Sequence, residues 1–201
     1  SGTYDPVEVE LALHLIEGRH QIHGDGVVAV DGGANVGTHT VEWAIAMTGW
    51  GSVIAIEAQE RIYYALAGNI ALNNRFNAIA MHAAISSEPG IMQIPTPDYL
   101  VPSNFSNLEL RPRADTEFIG QPVDYSTAGT VAIQKISIDA MTLPRVDFIY
   151  THPIPDVVER KLLNRLDSAA AAHDVILVAD QAETDLGGIV IRAALERSGL
   201  T

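Results

Sequence analysis

The sequence predicts an α/β fold in which helices cover both faces of a mostly parallel sheet. Apolar runs of strand length alternate with amphipathic helical segments, and this alternation is typical of such folds. Two of the runs, Val27–Val30 and Val175–Ala179, contain no polar residue, as expected for parallel strands that are buried on both faces. The chain of 201 residues has the length of one domain, so we expect a single domain over 1–201 with its core over about 27–201.

The first part of the chain predicts alternating helices and strands. Asp5-Pro6 is typical of a helix start and Gly18 can end that helix, which gives a first helix over about residues 5–18. The apolar strand Val27–Val30 follows, and then a helix over Thr38–Thr48. Its spacing predicts that Val41, Ala44, Ile45 and Thr48 face the core. The next elements are the strand Ser52–Ile56, the helix Glu60–Asn73 and the strand Ala78–Ile85.

The second half of the chain continues this pattern after a proline-rich interruption. Seven of the ten prolines lie between Pro89 and Pro144, so we interpret residues 88–130 as a β-rich insert and not as a second domain. The remaining elements are the strand Val146–Tyr150, the helix Pro155–Leu166, the strand Val175–Ala179 and the helix Leu186–Arg197.

The charge and composition of the chain exclude several classes of partner. Its 25 acidic and 12 basic side chains give a formal net charge of −13, which repels nucleic-acid backbones and anionic membranes. The absence of cysteine excludes a thiolate metal site and fits a reducing compartment. We therefore expect a cytoplasmic protein with no bound metal, no nucleic acid and no membrane partner. The chain opens Ser1-Gly2 without methionine, as a trimmed chain does, and membership of a larger protein or of a homo-oligomer stays open.

The residues most informative about function follow the first strand, in the segment Asp31–Thr38. Glycines there allow a sharp turn and a close approach to a ligand, and ligands of open α/β sheets bind at the carboxyl ends of strands. A phosphate-binding loop is excluded because Gly37 is followed by Thr38-His39 and not by lysine. A dinucleotide loop matches poorly, because Gly33-x-Asn35-x-x-Thr38 departs from the pattern G-x-G-x-x-G/A. Asp31 would also repel the pyrophosphate of such a ligand. S-adenosylmethionine carries an ammonium and a sulfonium and no phosphate, and it suits this acidic turn.

A second acid, Glu57, ends the second strand, 26 positions after Asp31. A carboxylate there can accept hydrogen bonds from both hydroxyls of a ribose. NAD and S-adenosylmethionine both carry that ribose, so Glu57 favours an adenosine ligand without separating the two. As a strand-end acid it is expected to be solvated. Its replacement by alanine should then lower ligand affinity and leave the stability of the ligand-free chain almost unchanged.

Four segments resemble the FkbM-type S-adenosylmethionine-dependent methyltransferases: V-D-G-G-A-N-V-G-T-H-T at Val30–Thr40, Glu57-Ala58, Asn69–Asn74 and Ile136–Asp139. The resemblance runs from about Val27 to the end of the chain and implies a Rossmann-like class I methyltransferase fold. It also implies roles for individual residues. Asp31, Gly33, Asn35 and Gly37 would line the methionine half of the cofactor, Glu57 would hold its ribose, and Ala83 and Ala84 would lie near its adenine.

The chain departs from that family where the methyl acceptor would bind. The family usually follows its fourth core strand with Lys-Ile-Asp-Val-Glu-Gly, whereas this chain has Thr151–Pro155, with His152 at the place of the aspartate. A histidine beside the reacting methyl group can act as a general base toward a hydroxyl, and we interpret His152 as the catalytic candidate. A solvent-facing loop histidine is the alternative. In the insert, Ser103–Asn107 is interpreted as a substrate-facing loop, with Ser103 and Asn104 as the candidate substrate residues. An ordinary turn-rich connection is the alternative.

These observations favour an enzyme that transfers a methyl group from S-adenosylmethionine to an oxygen of a small molecule or glycan. Two alternatives stay open. One is a module that binds S-adenosylmethionine without turnover, which the missing acids after Tyr150 favour. The other is a nicotinamide-dependent oxidoreductase, which only the analogy of fold favours.

Overall fold

The computed structural model describes residues 6–141, 147–150 and 175–179. Its helices are α1 (Pro6–His23), α2 (Thr38–Ala46) and α3 (Glu60–Leu72). Its strands are β1 (Val27–Gly32), β2 (Gly51–Glu57), β3 (Ala78–His82), β4 (Ala84–Ile85), β5 (Gly90–Pro95), β6 (Thr130–Ile136), β7 (Asp147–Tyr150) and β8 (Val175–Ala179). Two short 3-10 turns lie at Phe105–Asn107 and Ile138–Ala140.

Five strands form one parallel sheet in the order β3-β2-β1-β8-β7. The predicted α/β class, with a parallel sheet in a Rossmann-like arrangement, is therefore confirmed. β8 comes last along the chain, yet it lies between β1 and β7. Gly32 pairs with Ile56 of β2 on one side and with Ala179 of β8 on the other, and Ala179 pairs with Tyr150 of β7. The carboxyl ends of four strands thus lie along one edge of the sheet.

The three described helices pack on one face of this sheet. The core on that face consists of Ala12 and Ile16 of α1, Trp43 and Ala44 of α2, Leu66 and Ile70 of α3, Val27, Ala29, Val53, Ala55 and Ala78 of the strands, and Ala34 and Met47 on either side of α2. On the other face, Val30 and Ile56 pack against Ala83 and Ile138. The helices predicted at 155–166 and 186–197 lie outside the described residues. In the part of the chain that the structure describes, no helix combines the length and apolar character needed to cross a bilayer.

Helix α1 is longer than predicted, because Gly18 does not end it. The helix continues to His23, and Gly18 is buried within it. Gly24 has a φ angle of 77°, and its N–H donates to the carbonyl of His20 over 2.8 Å. A left-handed glycine that bonds back to the last turn is a common helix end. The sequence shows both glycines, but only the backbone conformation distinguishes them.

Helix α2 buries a different face from the one predicted. Its buried stripe consists of Thr40, Trp43 and Ala44 and continues to Met47, the residue that follows the helix, whereas Ile45 is 48% exposed. Of the four residues expected to face the core, only Ala44 does so. The observed residues follow the i, i+3, i+4, i+7 spacing of a helix face. This face also carries the indole of Trp43, which gives the core more apolar surface than Ile45 would.

The predicted strand Ala78–Ile85 is divided between two sheets. β3 ends at His82 and belongs to the parallel sheet, whereas β4 begins at Ala84 and pairs with β6 in a small sheet of order β4-β6-β5. Only His82 interrupts the apolar residues of this run, and a single polar residue does not reveal that the chain changes sheets at Ala83.

The insert expected over about 88–130 has β structure only at its two ends, in β5 and in the first residue of β6. Residues 96–129 between them form loops and one 3-10 turn, so the expectation of a β-rich insert holds only for these ends. β5 and β6 are antiparallel, and Pro95 lies opposite Thr130. The two ends of the connection over residues 96–129 are therefore adjacent. Ala58, which follows β2, packs with residues of this small sheet in one buried cluster. The insert is thereby fixed beside the carboxyl end of β2.

Candidate functional site

The turn between β1 and α2, residues 32–37, repeatedly enters the left-handed region of backbone conformation. We call it the glycine turn. Gly33, Asn35 and Gly37 have φ angles of 77°, 48° and 85°. Glycine adopts this conformation without steric penalty, and asparagine is one of the few other residues that tolerate it. The residue types of the turn therefore match what its backbone requires.

Neighbouring elements hold the glycine turn in place. The N–H groups of Gly33 and Ala34 donate to the carbonyl of Ile56 in β2 over 2.9 and 3.0 Å. From the other side, Nδ2 of Asn69 in α3 donates to the carbonyl of Val36 over 2.7 Å. The turn is thus tied to both β2 and α3, and its position follows from the packing of the fold.

The first and last left-handed glycines have different surroundings. A Cβ at Gly37 would lie 2.6 Å from Cδ1 of Leu66 in α3, so the missing side chain lets the turn pack on α3. A Cβ at Gly33 would meet nothing within 4 Å, and Gly33 is exposed. The backbone at Gly33 is therefore accessible, as a backbone that a ligand approaches closely must be.

Asp31, the acid near the end of β1, is buried, with 2% of its surface exposed. Its Oδ2 accepts a hydrogen bond from Oγ1 of Thr40 in the first turn of α2, and Thr40 is also buried. A buried carboxylate is stable only when it is hydrogen-bonded or paired. The contact therefore fixes the start of α2 relative to β1, and it places a carboxylate at the base of the glycine turn.

Glu57, the acid at the end of β2, meets the glycine turn directly. Its Oε1 accepts a hydrogen bond from the N–H of Gln59 over 2.7 Å, and its Oε2 accepts one from the N–H of Asn35 over 3.0 Å. Glu57 is only 5% exposed, so the expectation of a solvated strand-end acid is wrong. The contact with Asn35 in the glycine turn joins residues 22 positions apart, so no local pattern in the sequence reveals it.

Burial raises the pKa of Glu57 above its usual value of 4.5. The backbone N–H groups of Gln59, Asn35 and Ala58, together with His82, favour the charged form and oppose this rise in pKa. A charged carboxylate can accept about four hydrogen bonds. With backbone groups occupying only part of that capacity, Glu57 can still accept a hydrogen bond from a ligand hydroxyl.

The insert reaches the same place through a segment that follows β5. Nδ2 of Asn35 donates to Oγ of Ser106 over 2.5 Å, and Nε2 of Gln59 donates to the carbonyl of Phe105 over 2.9 Å. The hydroxyl of Tyr99 lies 3.4 Å from Oε1 of Gln59. Phe105 and Ser106 belong to the loop predicted to face the substrate, but their contacts with Gln59 and Asn35 were not predicted, because these contacts join residues 46 and 71 positions apart.

The predicted substrate residues, Ser103 and Asn104, lie next to this segment and bond within the insert. Oγ of Ser103 accepts a hydrogen bond from Nε2 of Gln121, and the N–H of Asn104 donates to the carbonyl of Ile119, each over 2.7 Å. These bonds position the neighbouring Phe105. Contact of Ser103 or Asn104 with a substrate stays a prediction.

Ala83 and Ala84 are buried where the chain leaves the parallel sheet. The N–H of Ala83 donates to the carbonyl of Glu57 over 3.1 Å, so Ala83 lies beside the backbone of that acid. The two side chains belong to different apolar clusters, with Ala83 against Val30 and Ile56 and Ala84 against the small sheet. Their contact with an adenine stays a prediction.

His152, the predicted catalytic residue, lies outside the described residues. The strand before it ends at Tyr150, which pairs with Ala179, and Ala179 pairs with Gly32. Neighbouring strands are about 4.8 Å apart, so the end of β7 lies roughly 10 Å from the glycine turn. The role of His152 as a base stays a prediction.

A cavity of about 590 Å³ adjoins the site, between the start of α3 and the insert. Gln59 and Arg61 line it on one side, and Tyr99 and Leu100 on the other. Its volume lies in the range of small-molecule pockets, about 300–1,000 Å³. Burial, followed by the charge of Glu57, raises the pKa of Tyr99 to about 12, so its hydroxyl remains a hydrogen-bond donor at neutral pH.

No family model and no curated protein matches this chain. Solved structures do show distant similarity. Monomeric WbdD is 11% identical over 98% of this chain and 38% of its own, with a TM-score of 0.44. Precorrin-6y C5,15-methyltransferase from Geobacter metallireducens is 18% identical over 41% of this chain and 42% of its own, with a TM-score of 0.32. An S-adenosylmethionine-dependent methyltransferase from Aquifex aeolicus is 17% identical over 40% of this chain and 47% of its own, with a TM-score of 0.28. The match spans less than half the length of each of these proteins.

Proposed function

We propose that the chain binds S-adenosylmethionine at the carboxyl ends of β1 and β2 and transfers its methyl group to an oxygen of a small molecule or glycan. One observation carries the cofactor assignment. The carboxylate of Glu57 is held beside the glycine turn by the N–H groups of Asn35 and Gln59. An acid oriented in this way at the end of the second strand is what an adenosine ribose requires.

The geometry of Glu57 suits a pair of neighbouring hydroxyls. One backbone N–H binds each carboxylate oxygen, which fixes the plane of the group before a ligand arrives. The lone pairs that remain can accept from hydroxyl donors, and such bonds to a charged group are worth about 1.5–3 kcal/mol each.

The glycine turn suits the methionine half of the cofactor. Its backbone is accessible at Gly33, so a ligand can approach it closely. The carboxylate of Asp31 lies at the base of the turn and is oriented by Thr40. The field of this acid favours an ammonium or sulfonium group over a phosphate, and the net charge of −13 acts in the same direction.

When bound, S-adenosylmethionine supplies an electrophilic methyl group. The chain has to orient the acceptor oxygen in line with that group and take up the proton of the acceptor. We assign the proton to His152, because a neutral imidazole accepts a proton near neutral pH. Its strand ends at the same edge of the sheet as the glycine turn.

Calorimetric titration of the purified chain with S-adenosylmethionine, and separately with NAD, tests the cofactor assignment. We expect binding of S-adenosylmethionine only. Glu57→Ala should lower the affinity at least about tenfold, since roughly 1.4 kcal/mol suffices for that change. Glu60→Ala is the matched control, because Glu60 lies three positions away and its Oε1 bonds Tyr64, not the glycine turn. Binding of NAD alone would instead support an oxidoreductase.

A second candidate is a module that binds S-adenosylmethionine without turnover. The segment Thr151–Pro155 lacks the two acids that the resembled family has there, and this favours the module. Incubation with labelled cofactor and a panel of hydroxylated small molecules and glycans separates the two candidates. Transfer of label to any acceptor supports the enzyme, and tight binding with no transfer across the panel supports the module.

A further inference from the structure

The insert contributes residues 99–106 to the site at Glu57, and we call this segment the cap. We propose that the cap forms the outer wall of the cofactor site, and that Gln59 and Asn35 are positioning residues that couple the cap to the carboxylate of Glu57. This inference rests on the proposed function, because it takes the ligand at Glu57 to be S-adenosylmethionine.

Gln59 and Asn35 each join the cap to the same carboxylate. Gln59 donates to Glu57 through its backbone N–H over 2.7 Å and to the carbonyl of Phe105 through its side chain over 2.9 Å. Asn35 donates to Glu57 through its backbone N–H over 3.0 Å and to the hydroxyl of Ser106 through its side chain over 2.5 Å. The two links start from opposite oxygens of one carboxylate and end on adjacent residues of the cap. A shift of the cap therefore acts on Asn35 and Gln59, whose backbone N–H groups orient Glu57.

The environment of Gln59 favours the observed position of the cap. Gln59 is 7% exposed, and a buried side-chain amide is costly without hydrogen-bond partners. In the described part of the chain, its partners come from the cap, with the carbonyl of Phe105 on Nε2 and the hydroxyl of Tyr99 near Oε1. Displacement of the cap would remove both side-chain contacts of Gln59. The observed position of the cap therefore satisfies the Gln59 side chain, whose backbone N–H orients Glu57.

The cap is held at its base by the rest of the insert. Asn104 donates its N–H to the carbonyl of Ile119, and Ser103 accepts from Gln121. Within the cap, the rings of Tyr99 and Phe105 pack with their centroids 5.0 Å apart. The cap is therefore a unit that is anchored at the insert and reaches the glycine turn at Ser106.

Hydrogen exchange measured by mass spectrometry tests the coupling on the full chain. Gln59→Met keeps the size of the side chain and the backbone N–H that binds Glu57, and it removes both side-chain contacts with the cap. Ser106→Ala removes the second link. Asn107→Ala is the matched control, because its Nδ2 binds Glu117 within the insert.

We expect S-adenosylmethionine to slow exchange over residues 99–108 of the parent chain. In Gln59→Met, these residues should exchange roughly tenfold faster without ligand, the change that about 1.4 kcal/mol produces. Its affinity for S-adenosylmethionine should fall about three- to tenfold, the effect of one net hydrogen bond. The urea midpoint of Gln59→Met should change little. This result would show that Gln59 positions the cap and does not stabilise the whole fold. Ser106→Ala should behave similarly and Asn107→Ala like the parent.

The outcomes distinguish this inference from the function on which it rests. If the parent binds S-adenosylmethionine and exchange in the cap does not respond, the cap is not a wall of the cofactor site and the inference is overturned. Equal cap exchange and equal affinity in Gln59→Met and the parent would overturn the coupling. If the parent does not bind S-adenosylmethionine, the proposed function fails, and faster cap exchange in ligand-free Gln59→Met would still support the link from Gln59 to the cap.

Discussion

Asn35 and Glu57 lie 22 positions apart, and the N–H of the first donates to Oε2 of the second over 3.0 Å. This bond joins the turn after β1 to the end of β2, so the two acidic strand ends form one site. The left-handed backbone at Asn35, with φ of 48°, is adjacent to the peptide that makes this contact. The conformation of the turn and the orientation of the acid therefore depend on each other.

Replacement of Glu57 by alanine should destabilise the ligand-free chain as well as weaken ligand binding. The N–H groups of Asn35 and Gln59 would lose their acceptor, and an unsatisfied buried donor costs about 1–3 kcal/mol. Urea unfolding should therefore show a loss of about that size. An unchanged free energy of unfolding would mean that water replaces the carboxylate at both donors.

The pH dependence of stability should reveal the raised pKa of Glu57. Because the pKa of the folded chain lies above the usual 4.5, the folded state binds the proton of Glu57 more tightly than the unfolded state. The protonated group thus contributes stability at low pH, and this contribution is lost as the pH rises through the folded pKa. The free energy of unfolding of the parent minus that of Glu57→Gln should fall as the pH rises from 4.5 through the folded pKa, and it should stay constant at higher pH. A difference that increases with pH would contradict the assignment.

Three glycine variants should separate backbone strain from ligand contact. Gly33 and Gly24 share a φ of 77° and have no neighbour within 4 Å of an added Cβ, so alanine at either should cost about 1–2 kcal/mol of stability. Only Gly33→Ala should also lower the affinity for S-adenosylmethionine, since Gly24 ends α1. Gly37→Ala adds a contact 2.6 Å from Leu66 and should cost more stability, about 2–5 kcal/mol. Equal affinities of Gly33→Ala and Gly24→Ala would place the ligand elsewhere.

The contact between Thr40 and Asp31 should be a stabilising one. Thr40→Val keeps the shape of the side chain and removes the hydroxyl that donates to Oδ2 of Asp31. A hydrogen bond to a charged group contributes about 1.5–3 kcal/mol, and thermal or urea unfolding should show a loss in that range. Thr40→Ser restores the donor and should recover most of it. Equal losses in the two variants would assign the effect to packing.

His152→Ala tests the assignment of the base. Turnover should fall by about two to four orders of magnitude, the usual contribution of acid–base catalysis. The affinity for S-adenosylmethionine should remain that of the parent, because the cofactor contacts proposed here come from β1, β2 and the glycine turn. Unchanged turnover would remove His152 from the mechanism and leave positioning as the contribution of the chain.

The sequence predicts the parallel sheet and the glycine turn because both rest on local signals. Apolar runs mark strands buried on both faces, and Gly33, Asn35 and Gly37 are residue types that accept a left-handed backbone. The burial of Glu57 has no such signal, because it accompanies a contact with Asn35, which lies 22 positions away in the chain. For the same reason the contact of Gln59 with Phe105 and that of Asn35 with Ser106 were not predicted. The face of α2 was assigned wrongly because several apolar stripes were compatible with its sequence, and the packing of Trp43 selects one of them.

The pairing of Pro95 with Thr130 closes the connection over residues 96–129 at its base. Residues 111–118 of that connection are exposed apart from the half-buried Thr116, and added length in such a loop costs little, about 0.6 kcal/mol for each doubling. This tip can therefore accept grafted sequence, such as a fluorescent or affinity tag, while the strand register is kept. Variation at this tip could give one scaffold different recognition surfaces without altering the glycine turn.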